Sequence, residues 1–90
     1  MNSAVRIIVK GRVHGVFFRD NTRKQAMSLG ITGYVQNLPK GVEIIAEGPK
    51  TALEQLIMWC SKGPALARVE GLEVRWRKPE GKYKSFEVKY

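Results

Sequence analysis

Cysteine, histidine and acidic side chains are scarce in this 90-residue chain, and the first two shortages limit its chemistry. The single cysteine, Cys60, cannot form a disulfide within the chain, so packing must supply the stability. The single histidine, His14, and the scattered carboxylates show no metal-ligand spacing and no Ser-His-Asp arrangement with a nucleophile elbow. No apolar run approaches the roughly 18 residues of a membrane span. We therefore expect a site without metal or cofactor, and no membrane segment.

The chain has eight acidic and 16 basic residues, which gives a formal net charge of +8 at pH 7. Such a charge suits nucleic acid or a small anionic substrate as the partner, and the charge alone does not choose between them. The length predicts one domain over residues 1–90 with a single small core. The polar residues 1–3, which no signal-peptide apolar segment follows, favour the cytoplasm.

Hydrophobic periodicity predicts five strands and two helices. The strands are indicated by Val5, Ile7 and Val9; by residues 31–38; by Val42, Ile44 and Ala46; by Leu72, Val74 and Trp76; and by Phe86, Val88 and Tyr90. The helices are indicated by Phe18, Thr22, Ala26 and Leu29, and then by Leu53, Leu56, Ile57 and Cys60. The order βαββαβ plus a short C-terminal strand predicts a ferredoxin-like α/β sandwich of the α+β class. In it, an antiparallel sheet carries two helices on one face.

Local signals set the boundaries of the two predicted helices. Gly30 follows the first helical pattern and predicts its end. The Thr-x-x-Glu spacing of Thr51–Glu54 is typical of a capping box and predicts the start of the second helix, which Gly63–Pro64 ends. Because Cys60 lies on the apolar stripe of that helix, we expect a buried structural cysteine rather than a nucleophile.

RNA-recognition domains share this fold and stack bases on aromatic side chains, mainly on the third strand. The third predicted strand, Val42–Glu47, has no aromatic residue. Its alternation places Glu43 and Glu47 on the face without helices. The sequence therefore argues against nucleic acid as the partner.

A loop with two glycines, Gly11 and Gly15, joins the first strand to the first helix and predicts an anion site. The first amides of a helix have no partner within it, and the helix dipole places partial positive charge at the same end. Glycine geometry can turn neighbouring loop amides toward one point. Arg19, in the first helical turn, adds a permanent charge and a fork of donors that matches phosphate oxygens. The residues alone leave two interpretations open: a phosphate site, or a plain connection with a solvated arginine.

A second motif ends the second strand with a polar amide at Asn37, which by itself is also typical of turn chemistry before a proline. The two motifs are Val9-Lys10-Gly11-Arg12-Val13-His14-Gly15-Val16-Phe17-Phe18-Arg19 and Gly33-Tyr34-Val35-Gln36-Asn37. Together, in this order, they resemble the motif pair of the acylphosphatase family. Residues 63–69 are also similar to the segment that follows the second helix of that family, and the similarity extends from about Val5 to Phe86.

The resemblance implies an enzyme that hydrolyses the carboxyl–phosphate bond of acyl phosphates to a carboxylate and inorganic phosphate. It implies that the loop amides and Arg19 bind the phosphate group and that Asn37 orients the attacking water. The implied phosphate-binding residues are Val13, His14, Gly15, Val16, Phe17, Phe18 and Arg19, and the implied catalytic residues are Arg19 and Asn37. We expect a monomer that uses no cofactor, with acyl phosphate as substrate and inorganic phosphate as product and competitive inhibitor. The alternative is a non-catalytic module of the same ferredoxin-like fold that binds phosphate or another anion, or RNA.

Two departures from the family pattern fall beside these residues. His14 stands where the family usually has glutamine, and a solvated loop histidine is expected there because the amides do the binding. Lys40 replaces the usual acidic residue, and the turn between Asn37 and Glu43 is one residue shorter than usual. We therefore expect the hairpin next to Asn37 to differ from that of the family.

Overall fold

Seven helices and strands build one sheet and one helical layer in the computed structural model, which describes residues 2–90. Their bounds are β1 Asn2–Arg12, α1 Phe18–Ser28, β2 Thr32–Leu38, β3 Gly41–Pro49, α2 Lys50–Lys62, β4 Arg68–Arg77 and β5 Phe86–Lys89. The strand order is β4-β1-β3-β2-β5, which confirms the predicted ferredoxin-like fold with a short C-terminal strand. Within residues 2–90, neither helix has the length and apolar character that crossing a membrane requires.

Alternate residues of the central strands form one wall of the core. Ile7 of β1 lies opposite Ile44 of β3, and both side chains are buried on the face that the helices cover. On this face α1 packs against β2 and β5, while α2 packs against β1, β3 and β4. From α2, the predicted stripe buries Leu53, Leu56 and Cys60. The helical spacing therefore identified the inward side of this helix correctly.

The end of α1 follows the sequence signal at Gly30. This glycine has φ 70°, a left-handed conformation that glycine adopts without steric cost. The amide of Gly30 donates to the carbonyl of Met27 at 3.2 Å, and the amide of Ile31 donates to the carbonyl of Ala26 at 2.9 Å. This pair of bonds is a Schellman motif, which satisfies carbonyls that the helix end would leave free.

The start of α2 corrects the capping-box prediction. Helix α2 begins at Lys50, directly after β3, so Pro49 occupies the cap position and makes no side-chain cap hydrogen bond. Thr51 therefore lies inside the first turn, where its backbone is already helical. At the other end, Gly63 has φ 72° and ends the helix as predicted.

The sheet is mixed: β4, β1, β3 and β2 pair antiparallel as predicted, and only the pairing of the short β5 is parallel. Strand β5 lies beside β2 and runs parallel to it, with Phe86 opposite Gly33. Because β4 and β5 are the two edges, residues 78–85 must cross from one edge to the other. They cross on the face without helices, where the Tyr83 ring lies 6.0 Å from the Tyr34 ring, centroid to centroid.

Glu47 is buried by this crossing segment, residues 78–85, instead of facing solvent. Its carboxylate accepts hydrogen bonds from the amides of Glu80 at 2.8 Å and Gly81 at 3.0 Å. A buried carboxylate needs such donors to replace lost water. The segment and the acidic residue of β3 therefore stabilise each other.

Glu43 is also buried, although the alternation of β3 predicted a solvent-facing acid. Its oxygens accept hydrogen bonds of 2.7 Å from Arg6 Nε and 2.7 Å from Gln36 Nε2. Burial alone would raise the pKa of Glu43, but the two hydrogen bonds and the charge of Arg6 outweigh it and lower the pKa. The stability linked to this shift is present at neutral pH and is lost as the pH falls through the lowered pKa.

Candidate active site

The loop between β1 and α1 bends through two residues with left-handed backbone. Gly15 has φ 68°, and a Cβ built on it would meet open space. Phe17 has φ 60° and ψ 29° and is the one non-glycine residue with a positive φ among residues 2–90. For an L-residue this conformation costs roughly 1–2 kcal/mol. The path of the loop is therefore held against the local preference of Phe17.

Gly11 belongs to β1 rather than to the loop, which corrects its predicted place in the loop of the anion site. It lies within β1, where the register with β4 shifts between Lys10 and Gly11. Its φ is 123°, and a Cβ there would overlap the carbonyl oxygen of Arg68 in β4. Such an irregularity bends a strand. Gly11 therefore lets the chain leave β1 toward the loop.

Backbone donors are concentrated at the start of α1. The first intrahelical bond runs from the amide of Asn21 to the carbonyl of Phe17 at 3.1 Å, so the amides of residues 18–20 precede it and have no intrahelical acceptor. Residues 14–17 form a turn that leads directly into this helix start, so the loop amides lie next to the amides of α1. The helix dipole adds partial positive charge at this end. The loop and the helix start therefore form the type of site that binds an anion.

Arg19 is anchored by the C-terminal strand. Its Nη1 donates to the carbonyl of Lys89 at 3.0 Å. Its Cζ lies 4.6 Å from the centroid of the Tyr90 ring, a cation–π arrangement. Because a guanidinium has five N–H donors, these contacts leave donors available for an anion. Strand β5 thus limits where the guanidinium can lie.

Asn37 reaches the same region from the end of β2. It lies opposite Val42 of β3 and, two residues after the buried Val35, shares the face that the helices cover. Unlike Val35, it is exposed, because the helical layer does not cover this end of the strand. Its uncharged amide offers both a donor and an acceptor to a water molecule.

One cavity of about 370 Å³ brings the two motifs together. Its lining residues are Val13, Gly15, Phe17, Phe18, Arg19, Asp20, Asn37 and Tyr90. Both residues that the resemblance implied to be catalytic, Arg19 and Asn37, are among them. Of the implied phosphate-binding residues, only His14 and Val16 are absent from the lining.

His14 and Val16 face away from this cavity. Val16 is buried in the core, so only its backbone amide can contribute to an anion site. The Nε2 of His14 lies 2.7 Å from the carbonyl of Gly41, where it must carry the proton because a carbonyl only accepts. His14 is exposed as predicted, but it also joins the loop to the first residue of β3. This contact fixes the loop against the short turn that follows Asn37.

Two lining residues were missed from the sequence. Asp20 follows Arg19 in the first turn of α1, and its place beside the anion site could have been inferred from the helical pattern. Tyr90 carried no such signal, because it reaches the cavity only through the pairing of β5 with β2.

Cys60 lies outside the candidate site. It is buried in α2, and burial raises the pKa of its thiol to about 12. The thiol is therefore protonated at neutral pH, which confirms the prediction of a structural cysteine. Among residues 2–90, no three His, Cys, Asp or Glu side chains are grouped so that they could hold a metal ion.

Comparison with known proteins agrees with the geometry. The acylphosphatase family model matches residues 5–88. An acylphosphatase of Rubrobacter xylanophilus is 51% identical over 86 residues, which cover 94% of this chain and 78% of that protein. The structure of an acylphosphatase from Coxiella burnetii superposes with a TM-score of 0.94 at 35% identity, covering 98% of this chain and 93% of the other. The acylphosphatase of Bacillus subtilis superposes with a TM-score of 0.93 at 33% identity over 100% of both chains. The resemblance first seen in two short motifs is thus confirmed, and the chain belongs to the acylphosphatase family.

Proposed function

We propose that this enzyme of the acylphosphatase family hydrolyses acyl phosphates in the cavity between the start of α1 and the end of β2. A water oxygen forms a bond to phosphorus, and the bond between phosphorus and the carboxyl oxygen breaks. The electron pair of that bond leaves with the carboxylate, and the water proton passes to a phosphate oxygen. The products are a carboxylate and inorganic phosphate. Because a carboxylate leaves without a proton, the reaction needs no strong general acid.

The observation that carries this proposal is that five residues of the segment 13–19, among them Arg19, line one cavity together with Asn37. The loop amides, the free amides of α1 and the guanidinium of Arg19 supply donors for the non-reacting phosphate oxygens. Phosphoryl transfer depends mainly on such positioning and charge stabilisation. In the proposed mechanism, the Asn37 amide holds the attacking water in line with the bond that breaks.

Hydrolysis of benzoyl phosphate tests the activity directly. We expect turnover that excess EDTA leaves unchanged, because the proposed site uses only protein donors. Inorganic phosphate should raise the apparent KM without changing kcat, since it competes for the same donors. Absence of turnover above the rate without enzyme would contradict the proposed function, and loss of turnover in EDTA would contradict its metal-free form.

Asp20 has the one side-chain carboxylate among the described residues that line the cavity, so it tests whether the substrate itself takes the proton. We expect Asp20→Asn to change kcat by no more than about threefold, because only an exposed charge near the site is removed. The KM should stay equal or fall, since a negative charge beside the anion is lost. A decrease in kcat of about 100-fold or more would identify Asp20 as a general base and overturn this step.

We also propose that the protein acts as a monomer in the cytoplasm and does not bind nucleic acid. RNA-recognition domains need an accessible sheet face with stacking aromatics. Here residues 78–85 cross that face, and Glu43 and Glu47 of the central β3 hold hydrogen bonds within it. A shift of labelled RNA in a gel at physiological salt would contradict this proposal.

A further inference from the structure

Phe17 is the exposed apolar residue of a loop whose neighbouring apolar side chains are buried. It is 70% exposed, whereas Val16 and Phe18 are 5% and 1% exposed. Single exposed apolar residues are common and need no explanation. Phe17, however, lies on the lining of the cavity and has a left-handed backbone, which glycine or asparagine adopts more readily. Neither packing nor backbone preference accounts for a phenyl ring there, which points to contact with a ligand.

The cavity has more space than a phosphate group needs. Its volume of about 370 Å³ is many times the roughly 10–15 Å³ of such space that one water molecule needs. A phosphate group has only five non-hydrogen atoms, and the acyl group is bonded to one of its oxygens. The acyl group must therefore occupy or border the remaining space.

The lining beyond the phosphate donors has two aromatic rings and one acidic side chain. Phe17 contributes one ring, and Tyr90, whose residue surface is 95% exposed, contributes a second. Asp20 adds the negative charge, which disfavours acyl groups that carry a carboxylate or a second phosphate. Apolar and aromatic groups gain from such rings by burying surface and by stacking.

We propose, building on the hydrolysis proposed above, that the Phe17 ring binds the acyl group of the substrate. The enzyme then prefers acyl phosphates with apolar acyl groups, aromatic ones above all, to acyl phosphates with small acyl groups. The backbone amide of Phe17 binds the phosphate group of the substrate, and its ring contacts the acyl group. The strained, left-handed backbone of Phe17 allows this one residue to present both its amide and its ring to the substrate.

The ratio of kcat/KM for benzoyl phosphate to kcat/KM for acetyl phosphate tests this assignment. We expect Phe17→Asn to lower the ratio about tenfold, mainly through the KM for benzoyl phosphate, because asparagine keeps the left-handed backbone but removes the ring. Phe17→Tyr, which keeps the ring, should retain the ratio of the wild type. Because both substrates are measured on one preparation, partial unfolding lowers both activities by the same factor, and the ratio still reports on the folded enzyme alone.

Met58→Asn is the matched control, because Met58 is 72% exposed on α2 and does not line the cavity. This variant should keep the ratio of the wild type. An unchanged ratio in Phe17→Asn, or an equal decrease in Phe17→Tyr, would overturn the role of the ring while the hydrolysis itself stands. If the wild-type enzyme hydrolyses neither substrate, the proposed function fails first.

Discussion

Replacing Arg19 with alanine is expected to remove both phosphate binding and activity. The guanidinium lies at the proposed anion site, where the carbonyl of Lys89 at the end of β5 and the ring of the next residue, Tyr90, hold it. Loss of one preorganised electrostatic contact of this kind lowers kcat/KM about 100- to 1000-fold or more. The inhibition constant for inorganic phosphate should rise in parallel, since ground state and transition state share this contact. Steady-state kinetics with benzoyl phosphate, with phosphate as inhibitor, measure both effects.

Arg23→Ala is the matched control for Arg19→Ala. Arg23 lies one turn further along α1 and lines a neighbouring groove rather than the cavity with Asn37. Both variants remove one positive charge from the same helix, so a general charge effect would appear in both. An Arg23→Ala variant that loses as much activity as Arg19→Ala would contradict a specific role for Arg19. A thermal unfolding curve for each variant shows whether activity falls because the lost contacts with β5 destabilise the fold or because the guanidinium is missing from the site.

Replacing Asn37 with alanine is expected to separate catalysis from binding. The side chain lies at the exposed end of β2 and, in the proposed mechanism, touches the water rather than the bound phosphate. The value of kcat should therefore fall about 100-fold or more, by analogy with the loss of one positioned hydrogen bond. The inhibition constant for inorganic phosphate should change by less than about threefold, because an interaction specific to the transition state leaves ground-state affinity intact.

Gln55→Ala serves as the control for Asn37→Ala, because it removes an exposed side-chain amide from α2, away from the cavity. It should retain the kinetic constants of the wild type. Comparable losses of phosphate affinity in Arg19→Ala and Asn37→Ala would contradict the division of roles between them.

Local signals in the sequence were sufficient to predict most of the fold. The apolar spacing from Phe18 and the glycine at position 30 predicted both ends of α1, because a helical stripe and a left-handed C-terminal residue are short-range requirements. The capping box at Thr51–Glu54 failed because β3 continues into α2 without a linker. The burial of Glu43 and Glu47 could not be predicted, since it depends on Arg6 and on residues 78–85, which are distant in the chain.

In the candidate site, too, some features follow from residues adjacent in sequence and others depend on contacts between distant residues. The loop with Gly15 and Arg19 follows from residues adjacent in sequence, and its meeting with Asn37 came from resemblance rather than from spacing. The hydrogen bond from Arg19 to Lys89 joins residues 70 positions apart and depends on the parallel pairing of β5 with β2. Such long-range partners leave no periodic pattern, so only the folded structure identifies them.

A crystal structure with saturating inorganic phosphate tests the central claim most directly. That claim is that the amides of residues 13–18 and the guanidinium of Arg19 together bind the phosphate group. The predicted result is one phosphate ion within hydrogen-bond distance of several of these amides and of Arg19, with the Asn37 amide facing the remaining open side. A loop without phosphate under those conditions, with the ion bound elsewhere on this basic surface, would contradict it.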